Sequence, residues 1–136
     1  MFNVYNTAIF STNQIVLKSL PFMITIYHNP RCSKSRETLA LIKSQGIEPE
    51  VILYLNTPPN ASTINELLEK LNMTARDIIR TGEAAYKANN LKDPSLSEQI
   101  LIEAIVAYPK LLERPIVVKG DKAIIGRPPE NVLSLL

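Results

Sequence analysis

At 136 residues and 46% apolar content the chain has the size of one ordinary domain and enough apolar side chains for a core. Its net charge of +2, with acids and bases interspersed, shows no basic run or aromatic–basic interleaving, so no nucleic-acid partner is expected. One cysteine excludes an internal disulfide and, with one histidine, the usual four-ligand zinc site; an unpaired thiol suits a reducing compartment, which makes the cytoplasm the expected location.

Residues 1–22 carry a single charge, Lys18. They show no apolar run of about 20 residues for a membrane helix, and no basic start or small-residue cleavage site of a secretory signal. They read as an N-terminal extension outside a core domain at 23–136. Ile24-Thr25-Ile26-Tyr27 is short and β-branched and ends at the turn pair Asn29-Pro30, which predicts a strand. A helix is expected over 33–45, closed by Gly46. Val51-Ile52-Leu53-Tyr54-Leu55 is a continuous apolar run, the pattern of a buried parallel strand. After the break Asn56-Thr57-Pro58-Pro59, Ile64, Leu67, Leu68 and Leu71 fall at helical spacing, with Thr63 and Glu66 spaced as a capping box.

Further helices are expected at about 74–80, 83–89 and 96–108. The last begins at Ser95-x-x-Glu98 and carries a stripe of Ile100, Leu101, Ala104, Ile105 and Tyr108. Ile116-Val117-Val118 and Ala123-Ile124-Ile125 flank Lys119-Gly120-Asp121-Lys122 as a hairpin, and a closing helix is expected over 130–136. The order describes an α/β sandwich with an inserted helical group.

Cys32 falls just after the first strand, at the start of the first helix. Unpaired N–H groups and the helix dipole favour an anion there. Arg31, Lys34 and Arg36 add positive charge, and Ser33 and Ser35 add hydroxyl donors. A thiol so placed should titrate below about 8.5 and act as a nucleophile near neutrality. The bland alternative, a small buried hydrophobe, fits poorly with such polar flanks. Cys32-Ser33-Lys34-Ser35 is not a Cys-x-x-Cys dithiol, and Thr38 stands where a Cys-x5-Arg phosphate loop needs arginine.

The stretch from Ile24 to Leu39, with His28-Asn29-Pro30-Arg31-Cys32 at its centre, resembles the opening of the glutaredoxin-linked arsenate reductases. So do Tyr54-Leu55-Asn56-Thr57-Pro58-Pro59, Ile78-Ile79-Arg80, Glu113-Arg114-Pro115-Ile116 and Ile125-Gly126-Arg127-Pro128. The resemblance spans Met23 to Leu136. Arg31 before the cysteine, where a small residue is commoner, and the end at Leu136 without a further tail are similar to the short, less characterised branch.

The resemblance implies a thioredoxin-like fold: a mixed four-stranded sheet with a helical insertion. It implies Cys32 as catalytic nucleophile and Arg80, Arg114 and Arg127 as binders of arsenate or a similar oxyanion. Arginine's planar fork suits such a tetrahedral dianion. His28 and Ser35 are candidates for tuning the thiol's pKa, and Pro115 matches a cis-proline position. Glutathione as reducing co-substrate and glutaredoxin as partner are implied too, because Cys32 has no second cysteine in its own chain to resolve its adduct; no bound cofactor, metal or membrane association is expected. Two other readings stay open: an Spx-like regulatory or binding protein, and a thiol-transfer protein without arsenate activity.

Overall fold

The computed structural model describes residues 23–136, so the extension expected at 1–22 lies outside the described residues. Strand β1 (Ile24–Tyr27) leads into helix α1 (Ser33–Ser44) and then β2 (Glu50–Ile52). Four helices follow: α2 (Ala61–Leu71), α3 (Ala75–Ile78), α4 (Ala84–Ala88) and α5 (Glu98–Ala107). A 3-10 turn at Pro109–Leu111, the hairpin β3 (Ile116–Lys119) and β4 (Lys122–Ile125), and a 3-10 segment at Pro129–Ser134 complete the chain.

The sheet runs β2-β1-β3-β4. β1 is parallel to β2 with Ile26 opposite Val51, and antiparallel to β3 with Ile26 opposite Val117. β3 pairs antiparallel with β4 through Val117 and Ile124. This is the mixed four-stranded sheet with a helical insertion expected from the sequence, the thioredoxin-like arrangement.

Alternation along the strands sends successive side chains to opposite faces, and each face has its own core. Ile24, Ile26 and Val117 pack with Ile42 of α1 and with Val132 and Leu135 near the C-terminus. Tyr27 and Ile116 face the other way, onto Ile64, Leu67 and Leu68 of α2, Ile78 of α3 and Leu101, Ile102 and Ile105 of α5. The inserted helices therefore form the second layer of one domain.

Several local expectations are corrected. β2 is an edge strand, with Val51 and Leu53 both exposed, rather than a buried one. Its outer side has no strand neighbour among the described residues, and only Tyr54 of the apolar run turns fully inward. Helix α2 starts earlier than expected, capped by Asn60, whose Oδ1 accepts the Thr63 N–H at 2.8 Å. The capping box lies instead at Thr74 and Asp77, opening α3.

Ser97, not Ser95, caps α5, and its Oγ accepts the Ile100 N–H. In that helix Leu101, Ile102 and Ile105 are buried while Ile100 and Tyr108 are exposed. α5 is apolar on nearly every side, so periodicity alone did not select its inner face. Gly46 does close α1, at φ 77°, where its N–H reaches the Lys43 carbonyl. The closing segment is 3-10 in form.

Candidate active site

Cys32 is the N-cap of α1, extended at φ −95° and ψ 123°, and its carbonyl accepts the Arg36 N–H. The preceding turn is fastened by Asn29, whose Oδ1 accepts the Arg31 N–H and whose carbonyl accepts the Cys32 N–H, each at 3.0 Å. Burial of the sulfur pushes its pKa up, but the Ser35 N–H, the Arg114 guanidinium and the Lys34 N–H outweigh it. The net shift is downward. A free helix N-terminus and a cation act together on the thiolate.

The neighbouring cations contribute differently from the expectation. Arg36 donates from Nη1 to the Pro30 carbonyl, and the Lys34 ammonium pairs with Glu37 at 3.6 Å. The cations facing the sulfur come from the far end of the chain. Arg127 Nη1 lies 3.9 Å from Sγ.

His28 and Ser35 sit one layer behind. Ser35 Oγ is 2.6 Å from His28 Nδ1 and accepts the Asn29 N–H at 3.0 Å. The Ser35 hydroxyl thus braces the turn, while its backbone N–H serves the thiolate. Burial first, then Arg36 and Lys43, lowers the His28 pKa, so the imidazole is neutral at physiological pH.

Backbone stitching brings the three arginines together. The Arg80 N–H reaches the Leu111 carbonyl at 2.7 Å and the Glu113 N–H reaches the Ile78 carbonyl at 2.8 Å, on either side of an Ile79–Leu112 bridge. Arg80 is thereby held beside Arg114. The Arg114–Pro115 and Arg127–Pro128 bonds are both cis. The Gly126 N–H donates to the Pro115 carbonyl at 2.9 Å, which brings Arg127 alongside Arg114. Arg127 Nη1 also lies 3.5 Å from the Arg114 carbonyl.

Gly126 permits a close approach to the helix that carries Cys32. A Cβ there would lie 2.5 Å from Thr38 Oγ1 and 2.9 Å from Pro115 Cγ. Thr38, buried at the position of the missing phosphate-loop arginine, donates to the Lys34 carbonyl at 2.8 Å.

Two carboxylates absent from the sequence expectation tie the guanidiniums to one another. Glu113 Oε1 pairs with Arg80 Nη1 at 3.2 Å and with Arg127 Nε at 3.5 Å. Glu83 Oε1 pairs with Arg80 Nε at 3.4 Å and with Arg114 Nη1 at 3.8 Å. The available signals were Arg80-x-x-Glu83, an i,i+3 pair, and the adjacency of Glu113 to Arg114.

Not every donor is satisfied. Arg80 Nε, Arg114 Nε and the Tyr54 hydroxyl are buried with no hydrogen-bond partner among the described residues; the 3.4 Å approach of Arg80 Nε to Glu83 is an ion pair only. Buried polar atoms are almost always partnered. Three orphan donors in one neighbourhood are suited to a ligand with several acceptor oxygens.

Comparison with known proteins bears on the family and the fold. The ArsC family profile matches residues 27–135. The chain is 47% identical over 114 residues to the arsenate reductase of Haemophilus influenzae, spanning 83% of this chain and 98% of that one. It is 60% identical over 114 residues to the uncharacterized protein YfgD of Escherichia coli (strain K12), spanning 83% and 96%. The solved arsenate reductase of Vibrio cholerae superposes with a TM-score of 0.83 at 49% identity, covering 85% of this chain and 98% of that one.

Proposed function

The chain belongs to the ArsC family, and from that premise we propose that it is an oxidoreductase, an arsenate reductase working through Cys32. The observation that carries the reading is the convergence of a low-pKa thiol with arginines from distant segments, two of which keep an unpartnered Nε. Arg80, Arg114 and Arg127 hold the oxyanion by charge-assisted hydrogen bonds. The Cys32 thiolate attacks arsenic and an oxygen leaves as water, giving an arseno-cysteine with arsenic still pentavalent.

The arginines offset the negative charge that gathers as sulfur and oxyanion come together. His28 and Ser35 hold the turn that aims the thiol and tune it indirectly. Glutathione supplies the second thiol. When its sulfur joins that of Cys32 in a mixed disulfide, the two electrons pass to arsenic, which departs as arsenite. Glutaredoxin then recovers Cys32 by thiol–disulfide exchange.

The test is arsenite formation with arsenate, glutathione and glutaredoxin, compared with the Cys32→Ser variant. Sustained turnover of the native chain and none from the variant is expected. Absence of arsenite with any thiol donor would overturn the reading. A second reading has its own support in Glu83 and Glu113, which already compensate the guanidiniums a dianion would need. In it the same thiol exchanges with glutathionylated thiols and does not reduce arsenate. Turnover of a mixed disulfide without arsenite release would favour it.

A further inference from the structure

We infer that the Tyr54 hydroxyl is a further direct contact to the oxyanion bound at Cys32, donating its proton to an anion oxygen. The inference rests on the oxyanion reading above and deepens it. Tyr54 follows edge strand β2, in a run otherwise partly exposed, yet it is 0% exposed. Its ring belongs to the core beneath the inserted helices. Its oxygen makes no hydrogen bond of good geometry among the described residues; only the Asn29 amide comes near enough to favour the phenolate.

The surroundings of that oxygen define what it lacks. Arg80 and Arg114 act on it with positive charge and bring only N–H groups. Asn29 is beside it too, acting as a donor that favours the phenolate, while its Oδ1 accepts the Arg31 N–H. The Cys32 sulfur reaches it by charge without a hydrogen bond. The charged groups around it are two guanidiniums and the sulfur, and its one hydrogen-bonding neighbour is a donor.

Burial, outweighing the arginines, raises the phenol pKa, so the proton to be donated is retained throughout the physiological range. A buried hydroxyl without an acceptor is a net cost to the fold. The ligand class that removes that cost is a tetrahedral anion whose remaining oxygens meet the orphaned Nε atoms of Arg80 and Arg114.

The experiment uses the full chain and its Tyr54→Phe variant, which keeps the ring and removes only the oxygen. Arsenate, and phosphate as a non-reducible anion of the same shape, are titrated for protection of Cys32 against alkylation. Arsenite formation and the thermal midpoint are followed in parallel. The variant is expected to need about tenfold more of either anion for half-protection, as for loss of one hydrogen bond to a charged group. Its Tm without anion should equal or exceed that of the native chain, because no internal hydrogen bond is lost.

Equal protection of the two proteins would overturn the inference, as would a lower Tm, which would reveal an internal partner. Arsenite formation with equal protection removes the Tyr54 contact and leaves the reductase reading intact. Protection without arsenite formation removes the reductase reading, and the comparison of variants still decides Tyr54. Failure of both anions to protect the native chain overturns the contact as well.

Discussion

Two opposed influences meet at the Cys32 sulfur, burial pushing its pKa up and N–H groups with Arg114 pulling it down. The second prevails, so the rate of alkylation against pH is expected to inflect below the ordinary thiol value of about 8.5. Arg114→Ala should move that inflection upward, while Lys34→Ala should leave it nearly in place, since the Lys34 ammonium pairs with Glu37. An inflection at or above the free-thiol value would contradict the geometry. Glu113→Gln releases both Arg80 and Arg127 from a carboxylate. Its KM for arsenate should fall about fivefold, the equivalent of roughly 1 kcal/mol from a partly exposed pair; a rise would mean that Glu113 instead holds the guanidiniums in place. At this scale Cys32 is legible from its flanks and its place after a strand, and the arginines from motif resemblance. Glu83, Glu113 and the fate of the Tyr54 hydroxyl are not, because an acidic residue on a short helix or turn reads as solvated until the chain is folded around it.

Among the elements, α1 and the turn after β4 are set against each other with no room to spare at Gly126. Gly126→Ala should destabilise the fold by about 1–3 kcal/mol through overpacking. It should also carry Arg127 away from Sγ, so thermal unfolding and the alkylation profile should both change. Asn60→Ala offers the contrast: loss of the α2 cap should cost about 1 kcal/mol and leave the thiol's titration untouched. A shift of the thiol pKa in that variant would show the layers to be coupled. The elements themselves were largely readable, since β1, α1, α2 and the hairpin have distinct periods and clear stops. Their caps were less so: Asn60 and Ser97 each lie within three residues of another residue able to cap. The edge position of β2 depends on which strand pairs with β1, which a run of apolar residues does not encode.

For the molecule as a whole, the mixed sheet with an inserted helical layer was recoverable from element order and resemblance, because a βαβ start and a terminal hairpin leave few ways to close a sheet. Among the described residues no helix is long and apolar enough to cross a membrane. The way the arginines are bridged also governs what an approaching solute senses. Three guanidiniums are set against two carboxylates and, once the thiol ionises, one sulfur anion, so the charges within this cluster cancel over a span of several ångströms, with Arg31 and Arg36 in no ion pair among the described residues. Beyond a screening length of about 8 Å little of the cluster's own field survives to draw anions in. Discrimination must then arise on contact, from fit, rather than from attraction at a distance. The ratio of iodoacetate to iodoacetamide rates at Cys32 is therefore expected to change by less than about twofold between low and physiological ionic strength. A steep fall with added salt would reveal an uncompensated cationic mouth. A pocket without long-range pull admits anions no faster than neutral solutes, so selection among them rests on how their oxygens meet the donors inside.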